Sequence, residues 1–389
     1  GFNFTSEADI FREYSRMTAT NNNGSRDLDL GALANLSNEE YDQLSPQQWP
    51  LDSQAIIHDD TSSSQIAIAP KRFFSKGQFY TPSKKGNFVA VNYRAPATSI
   101  SKDYPMTLNT GRIRDQWHTM TRTGLAVTLG AHKPEPYIQL NPQDARCFDL
   151  KEGDIATIHN SWGSAKARVQ LSSEMNAGQV FMPSHWSDVE SSHGKVCNVV
   201  SPDVDPVSAQ PEAKFTPVAI KRWAYTSEGL LLSRTPINTD HFEYWVKRRV
   251  NGGYLYYVAQ SHSEPLLIDT IKSLSIVDTD NTRIEFNDDS QQQYRCATMV
   301  NGDVDTLYVV APRLCDTDYA WLDNLLVNTL SVDAQRSILS GKPAASLISG
   351  KQICACKQVG EITIKQAIQD GANSVSAISE CTGAGTGCG

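Results

Sequence analysis

Two groups of residues in this chain have types and spacing suited to chemistry. The first lies near the C-terminus, where Cys354-Ala355-Cys356 is followed, after 31 residues, by Cys388. Alternate side chains of a C-x-C pair reach one centre from a single loop. Cysteine thiolates hold iron–sulfur clusters or zinc, and a [2Fe–2S] centre normally takes four of them. Gly383, Gly385 and Gly387 let backbone N–H groups approach the sulfur atoms, an interaction that tunes potential. Cys381 lies seven positions before Cys388 and reads as a helix-end packing residue. A zinc site or idle thiols are the alternatives to a cluster.

The second group runs from Tyr104 to Gly124. A strand ending in Asn109-Thr110-Gly111-Arg112 delivers a glycine turn and a guanidinium. Such a turn offers backbone N–H groups to a phosphate, and arginine adds bidentate charge. His118, Thr119, Thr121 and Arg122 supply further polar groups in the same loop. Taken alone, a Thr-Gly-Arg triplet reads better as a solvated basic loop beside a strand.

These groups need elements to hold them. Residues 6–18 read as an amphipathic helix capped by Ser6, with Ile10, Phe11, Tyr14 and Met17 at apolar spacing, stopped at Asn21–Gly24. Ser37 and Glu40 form a capping box for a second helix. From about 45 to 95 the chain is polar and proline-rich, with short strands at Gln65–Ala69 and Asn87–Val91. Between 100 and 223, Ile155–His159, Ala165–Leu171, Gln179–Met182 and Pro217–Lys221 are short strands at the spacing of a barrel or sandwich. Asn301-Gly302 marks a hairpin between Tyr294–Val300 and Asp303–Val310, because both turn residues tolerate positive φ. Trp321, Leu322, Leu325 and Leu326 share one helix face, and another short helix lies around Asp333–Leu339. The tail carries a helix with Ile364, Ala367 and Ile368 on one face, ending at Gly371, and another starting at Ser374.

Length sets the scale: 389 residues suggest two to four domains. A net charge of -8 argues against a nucleic-acid partner, and no run of 18 apolar residues could span a membrane. The eight cysteines are too sparse for a secreted disulfide scaffold, so the tail group belongs to a reducing compartment. Cys147 and Cys197 read as small buried residues. The first residues have no signal-peptide pattern, and both ends read as sequence boundaries. No nucleophile elbow, P-loop or H-E-x-x-H motif occurs. His185, Asp188 and His193 have the residue types of a metal site without its context.

Two resemblances sharpen this reading. The tail resembles the bacterioferritin-associated-ferredoxin-like [2Fe–2S] domain, through the C-x-C, the Val359-Gly360-Glu361 that follows, the short helices and Gly383–Gly389. That pattern implies Cys354, Cys356 and Cys388 as metal ligands, with a fourth two residues beyond Gly389. The Tyr104–Gly124 stretch resembles the molybdopterin-dinucleotide-binding domain of the molybdopterin oxidoreductase superfamily. The resemblance continues through Pro136–Asn141, Leu150–Asp154, Gly178–Pro183, His185-Trp186, Cys197-Asn198 and Asp205–Lys214. It implies a double-psi β-barrel, and contact of Asn109, Thr110, Gly111, Arg112, His118, Thr119, Arg122, Asn198 and Lys214 with the cofactor. His185 reads equally as a contact or as a packed histidine beside Trp186.

Phe11–Thr18, Asp27–Gly31, Gln47–Pro50, Lys71–Phe74 and Phe79–Pro82 resemble the connection that precedes this domain in the assimilatory nitrate reductase branch. The fold implied is a β-rich α+β chain: the end of a catalytic domain and a connection (1–98), the barrel (99–223), a mixed α+β segment (224–346) and a small helical [2Fe–2S] domain (347–389). The activity implied is reduction of nitrate to nitrite at molybdenum-bis(molybdopterin guanine dinucleotide), in the cytoplasm. Electrons would come from a ferredoxin, flavodoxin or flavoprotein reductase through the tail. The family also carries a [4Fe–4S] cluster and a molybdenum ligand in an N-terminal part that this sequence does not contain, so this segment alone is expected to be inactive. A formate dehydrogenase, or a non-catalytic electron-transfer protein, is the alternative.

Overall fold

The computed structural model describes residues 3–51, 56–57, 67–68, 72–90, 92–206, 208–261, 267–274, 282–314, 320–327, 338–339, 350, 352–354, 357 and 359–387. Cys315, Cys356, Cys388 and most of the helix expected near 333–339 lie outside the described residues. The chain divides into two units, Gly1–Arg94 and Ala95–Gly389.

In the first unit, α1 (Glu7–Ala19) begins at a capping box between Ser6 and Asp9. Left-handed Asn21, Asn23 and Gly24 follow it. Its packed face is not the expected one. Ala8, Ser15 and Thr18 are buried, and Phe11 packs on the cluster of Leu30, Leu33, Leu36 and Leu51. Ile10, Tyr14 and Met17 are exposed. The reason is polar: the Thr18 hydroxyl accepts the Leu30 N–H at 2.9 Å, which turns the small-residue side of the helix inward. α2 (Asn38–Asp42) starts at the Ser37–Glu40 capping box. β1 (Ile56–Ile57) pairs antiparallel with β2 (Ala67–Ile68). Residues 87–90 form no strand, Val91 lies outside the described residues, and Phe88 and Val89 are exposed.

The second unit opens with a closed barrel of six strands: β3 (Met106–Gly111), β4 (Tyr137–Leu140), β5 (Ile155–His159), β6 (Ser164–Leu171), β7 (Gln179–Pro183) and β8 (Thr216–Arg222). The helices α3 (Val127–His132) and α4 (Pro142–Cys147) lie on its connections. β3 with β7 and β4 with β6 are parallel, and the other pairs are antiparallel. Following the register once round the barrel returns to β3 about ten residues away, a large stagger for six strands. Strand alternation fills the interior with Leu108, Ile138, Leu140, Ile158, Ala167, Val180 and Met182.

The mixed segment is a six-stranded antiparallel sheet: β9 (Ser227–Ser233), β10 (Tyr244–Val250), β11 (Gly253–Gln260), β12 (Thr282–Asp288), β13 (Gln293–Val300) and β14 (Asp303–Ala311), in the order β10-β11-β9-β14-β13-β12. Asn301 and Gly302 have φ of 52° and 86°, as the hairpin signal requires. α5 (Leu267–Leu274) packs on one face. Trp321, Leu322, Leu325 and Leu326 pack on the other, from a 3₁₀ helix at Ala320–Asn324 and the turn after it. That second face also takes Met120, Ile155 and Trp186 from the barrel side into one core. A buried ion network crosses the same junction. Arg168 of β6 makes a bidentate pair with Glu135 at 2.8 and 3.2 Å and reaches Glu228 of β9 at 3.1 Å. Tyr244 and Tyr225 donate to the same carboxylates.

The tail is β15 (Gln352–Cys354), β16 (Val359–Gly360), α6 (Glu361–Gln369) and α7 (Val375–Thr382). Ser374 caps α7, and left-handed Gly383 ends it.

Candidate cofactor site

Strand directions and stagger bring the ends of β3 and β7, the β5–β6 turn and the start of β8 to one mouth of the barrel. The Gly111 carbonyl accepts the Ser184 N–H at 2.9 Å and the Ser184 hydroxyl at 3.0 Å. Thr110 donates its N–H and hydroxyl to the Ala213 carbonyl, at 3.2 and 2.7 Å, and the Lys214 ammonium donates to the Thr110 carbonyl. A Cβ on Gly111 would lie 2.8 Å from the Phe181 ring, so glycine is what lets β3 run against β7 here. Asn160 in the β5–β6 turn donates to the Val199 and Pro217 carbonyls, and Gly163 backs directly on the Asn198 carbonyl. Thr110 is buried and Gly111 half-buried; Asn109, Arg112, Asn198 and Lys214 are exposed.

His118, Thr119 and Arg122 lie on the loop that leaves this mouth, and all three are exposed. His118, Thr119 and Met120 have φ of 42°, 50° and 60°, three successive left-handed residues without a glycine. Two buried side chains that the sequence did not single out hold the loop from below. Asp115 accepts from Arg114 at 2.9 and 3.2 Å and from His132 at 2.5 Å. Burial opposes its ionisation, but the hydrogen bonds and charges of Arg114 and His132 outweigh that and hold its pKa below the usual carboxylate value. Gln116 accepts from Thr123 at 2.7 Å and donates to the Leu129 carbonyl at 3.3 Å.

His185 takes the packed role. It is 2% exposed, and its Nε2 accepts the Ile113 N–H at 3.0 Å, which places its proton on Nδ1. Burial, and then the charge of Arg112, push its pKa down. Asp188 pairs with Lys195 and His193 bonds Ser192, so these two and His185 have separate partners. Cys147 and Cys197 are exposed, contrary to expectation, because Cys147 ends α4 and Cys197 lies in a short 3₁₀ turn at Val196–Asn198, both outside the strand alternation that fills the barrel.

In the tail, Cys354 is buried, and the Gly385 N–H donates to its Sγ at 3.4 Å. Left-handed Gly383 and Gly385, with φ of 76° and 77°, shape that approach. Cys381 is exposed rather than packed; it lines the groove between α6 and α7, and its thiol donates to the Ile378 carbonyl.

Residues 106–217 match the family described as "Molydopterin dinucleotide binding domain", and residues 352–389 match the "BFD-like [2Fe-2S] binding domain". The chain carries a molybdopterin-dinucleotide-binding domain and a BFD-like [2Fe–2S] domain. The molybdopterin-dinucleotide-binding domain is the closed barrel and its loops. A nitrate reductase of Klebsiella oxytoca is 30% identical over 397 residues, covering 98% of this chain and 42% of the relative. The alpha subunit of an F420-dependent formate dehydrogenase from Methanocaldococcus jannaschii is 32% identical over 151 residues, 39% of this chain and 22% of the relative. An assimilatory nitrate reductase catalytic subunit of Bacillus subtilis is 25% identical, over 56% of this chain and 28% of the relative. The chain thus spans less than half the length of each.

Proposed function

We propose that this chain is the cofactor-holding and electron-entry part of a molybdenum-dependent assimilatory nitrate reductase. One observation carries the reading: a nitrate reductase aligns with 98% of the chain, through barrel, sheet and cluster domain alike. The formate dehydrogenase likenesses extend over 39% and 47% of the chain.

The donor set suits a pterin dinucleotide. Exposed Arg112 and Lys214 at the barrel mouth would meet its phosphate charge, with Arg122 on the loop. Thr110 and Gly111 would set the backbone that approaches it, and Asn109, His118, Thr119 and Asn198 would offer polar contacts. The Gly385 N–H donated to the Cys354 sulfur suits a cluster thiolate, whose negative charge such a bond stabilises. Cys354, Cys356 and Cys388 would be the ligands on this chain. When bound, molybdenum would supply the two-electron reduction of nitrate to nitrite and water, with uptake of two protons. The tail would receive those electrons one at a time from a ferredoxin, a flavodoxin or a flavoprotein reductase. No described helix is long and apolar enough to cross a membrane, and a cytoplasmic place belongs to the same proposal.

The 389 residues alone and the full polypeptide would each be assayed with a reduced viologen and nitrate. Nitrite should form only with the full polypeptide, where Arg112→Ala should lower molybdenum and guanine-nucleotide content by about tenfold or more. Sustained nitrite from the 389 residues alone, or formate oxidation without nitrate reduction in the full polypeptide, would replace this reading.

A further inference from the structure

The first unit holds a cleft of about 470 Å³ that the function above does not use. Ligand sites commonly fall in the range of about 300–1,000 Å³. Among the described residues, four cationic side chains line it, Arg26, Arg72, Lys76 and Lys84, against one carboxylate, Asp29. Asp29 is already engaged, by the Gly31 N–H at 2.8 Å and the Asn22 amide at 2.7 Å. Among the described residues no carboxylate pairs with Arg72, Lys76 or Lys84. In a chain of net charge -8, four positive groups around one hollow are a marked local reversal.

The cleft is also built. Asn22 is 2% exposed, and its side chain accepts the Arg26 N–H at 2.7 Å. The Arg26 guanidinium is fixed by the Thr18 and Thr20 carbonyls, both at 2.9 Å. Two tight turns bring the other cations in. The Gly77 N–H closes on the Phe74 carbonyl at 2.8 Å, and Lys84 closes on Thr81 and Phe79 at 3.0 Å. Phe74 and Lys84 are left-handed, with φ of 56° and 58°. The rings of Phe74 and Phe79 stack with centroids 4.8 Å apart and remain 48% and 40% exposed at the cleft. A solvated basic loop needs neither a hollow nor an exposed aromatic pair.

We propose that this cleft binds a phosphate-bearing heteroaromatic ligand of the nucleoside diphosphate class. The cations meet the phosphates, and the exposed ring pair offers a face for the base. The proposal stands whether or not the barrel binds a pterin dinucleotide. The source of the ligand could be a free nucleotide or the nucleotide end of a larger cofactor, and the chemistry recognised is the same.

The test is calorimetric titration of the full 389-residue chain with GDP, inorganic pyrophosphate and guanosine. GDP should bind most tightly, pyrophosphate more weakly and guanosine least. Lys76→Ala with Lys84→Asn removes two charges, and asparagine tolerates the left-handed backbone at 84. That pair should weaken GDP at least about tenfold. Phe79→Ala should bring GDP down to the level of pyrophosphate. Arg112→Ala, at the barrel, should leave this binding event unchanged. Added full-length molybdopterin dinucleotide should compete with GDP if the cofactor is the source, and leave it bound if a free nucleotide is. The proposal is overturned if GDP does not bind, if the lysine variant binds it like wild type, or if only Arg112→Ala abolishes it.

Discussion

Gly111→Ala tests how closely the barrel mouth is built. The new Cβ would lie 2.8 Å from Cε2 and 3.3 Å from Cζ of Phe181. Carbon atoms rest at about 3.5–4.0 Å, so the ring must retreat by about 0.7 Å or more. Its retreat is limited, because the β3–β7 register holds its backbone opposite Asn109 and Tyr137 packs beside it at 6.0 Å. Overpacking of this kind costs about 1–3 kcal/mol. Gly111 is not among the glycines with positive φ, so left-handed strain adds nothing and one ring accounts for the cost. A double-mutant cycle isolates it. Leucine at 181 lacks the Cε2 and Cζ positions, so in a Phe181→Leu background Gly111→Ala should cost under about 0.5 kcal/mol. Urea midpoints and slopes by circular dichroism give both values. An equal loss in the two backgrounds would mean that the Phe181 ring is not what the new Cβ meets.

Arg168→Met strips the cationic partner from buried Glu228 and mostly buried Glu135, and should cost about 3 kcal/mol or more in a urea titration; a shift under about 1 kcal/mol would mean water and the tyrosine hydroxyls already serve Glu135 and Glu228. Cys354→Ser should lower iron bound after anaerobic reconstitution of the full polypeptide, while Cys381→Ser should not, since that thiol faces the α6–α7 groove; loss with Cys381→Ser would make it a ligand. The pKa of His185 is depressed on folding, so the unfolded chain binds its proton first. Stability is therefore full above about pH 6.5 and falls as pH drops from there toward the folded pKa. His185→Gln, which keeps an acceptor for Ile113, should flatten that slope in thermal midpoints from pH 7.5 to 5; an unchanged slope would assign it to other groups.

Local signals carried much of this architecture. Asn301-Gly302 made its hairpin because only a turn with two left-handed residues matches the twist of the strands. β5 ran from Ile155 to His159 as expected, set by the turn after it. Ser6 and Ser37 capped their helices because a cap involves residues three apart. What failed was non-local. The apolar spacing of Ile10, Tyr14 and Met17 was overridden by one hydrogen bond to Leu30. Residues 87–90 had strand composition but pair with no strand among the described residues. At the candidate site, the exposed polar residues lay in recognisable runs, whereas their supports did not. Phe181, Ser184 and Ala213 reach Gly111 and Thr110 only after the barrel closes. The Asp115–His132 pair spans 17 positions and the Arg168–Glu135 pair 33, with no periodicity to announce either.

The junction between barrel and sheet bears on how such chains can be inherited. Arg168 draws one carboxylate from each side of it, and Met120, Ile155 and Trp186 sit in the same core as Leu230 and Leu255. A recombination crossover near residue 224 would leave the donor barrel with an arginine facing the wrong sheet, and leave the recipient sheet with Glu228 buried against no cation. Packing thus makes barrel and sheet a single block that a recombination event must take whole. A crossover that spares the sheet lies beyond Leu339, because Trp321–Leu326 pack on the sheet, Asp323 pairs with Arg248, and the Leu339 carbonyl accepts from Arg295.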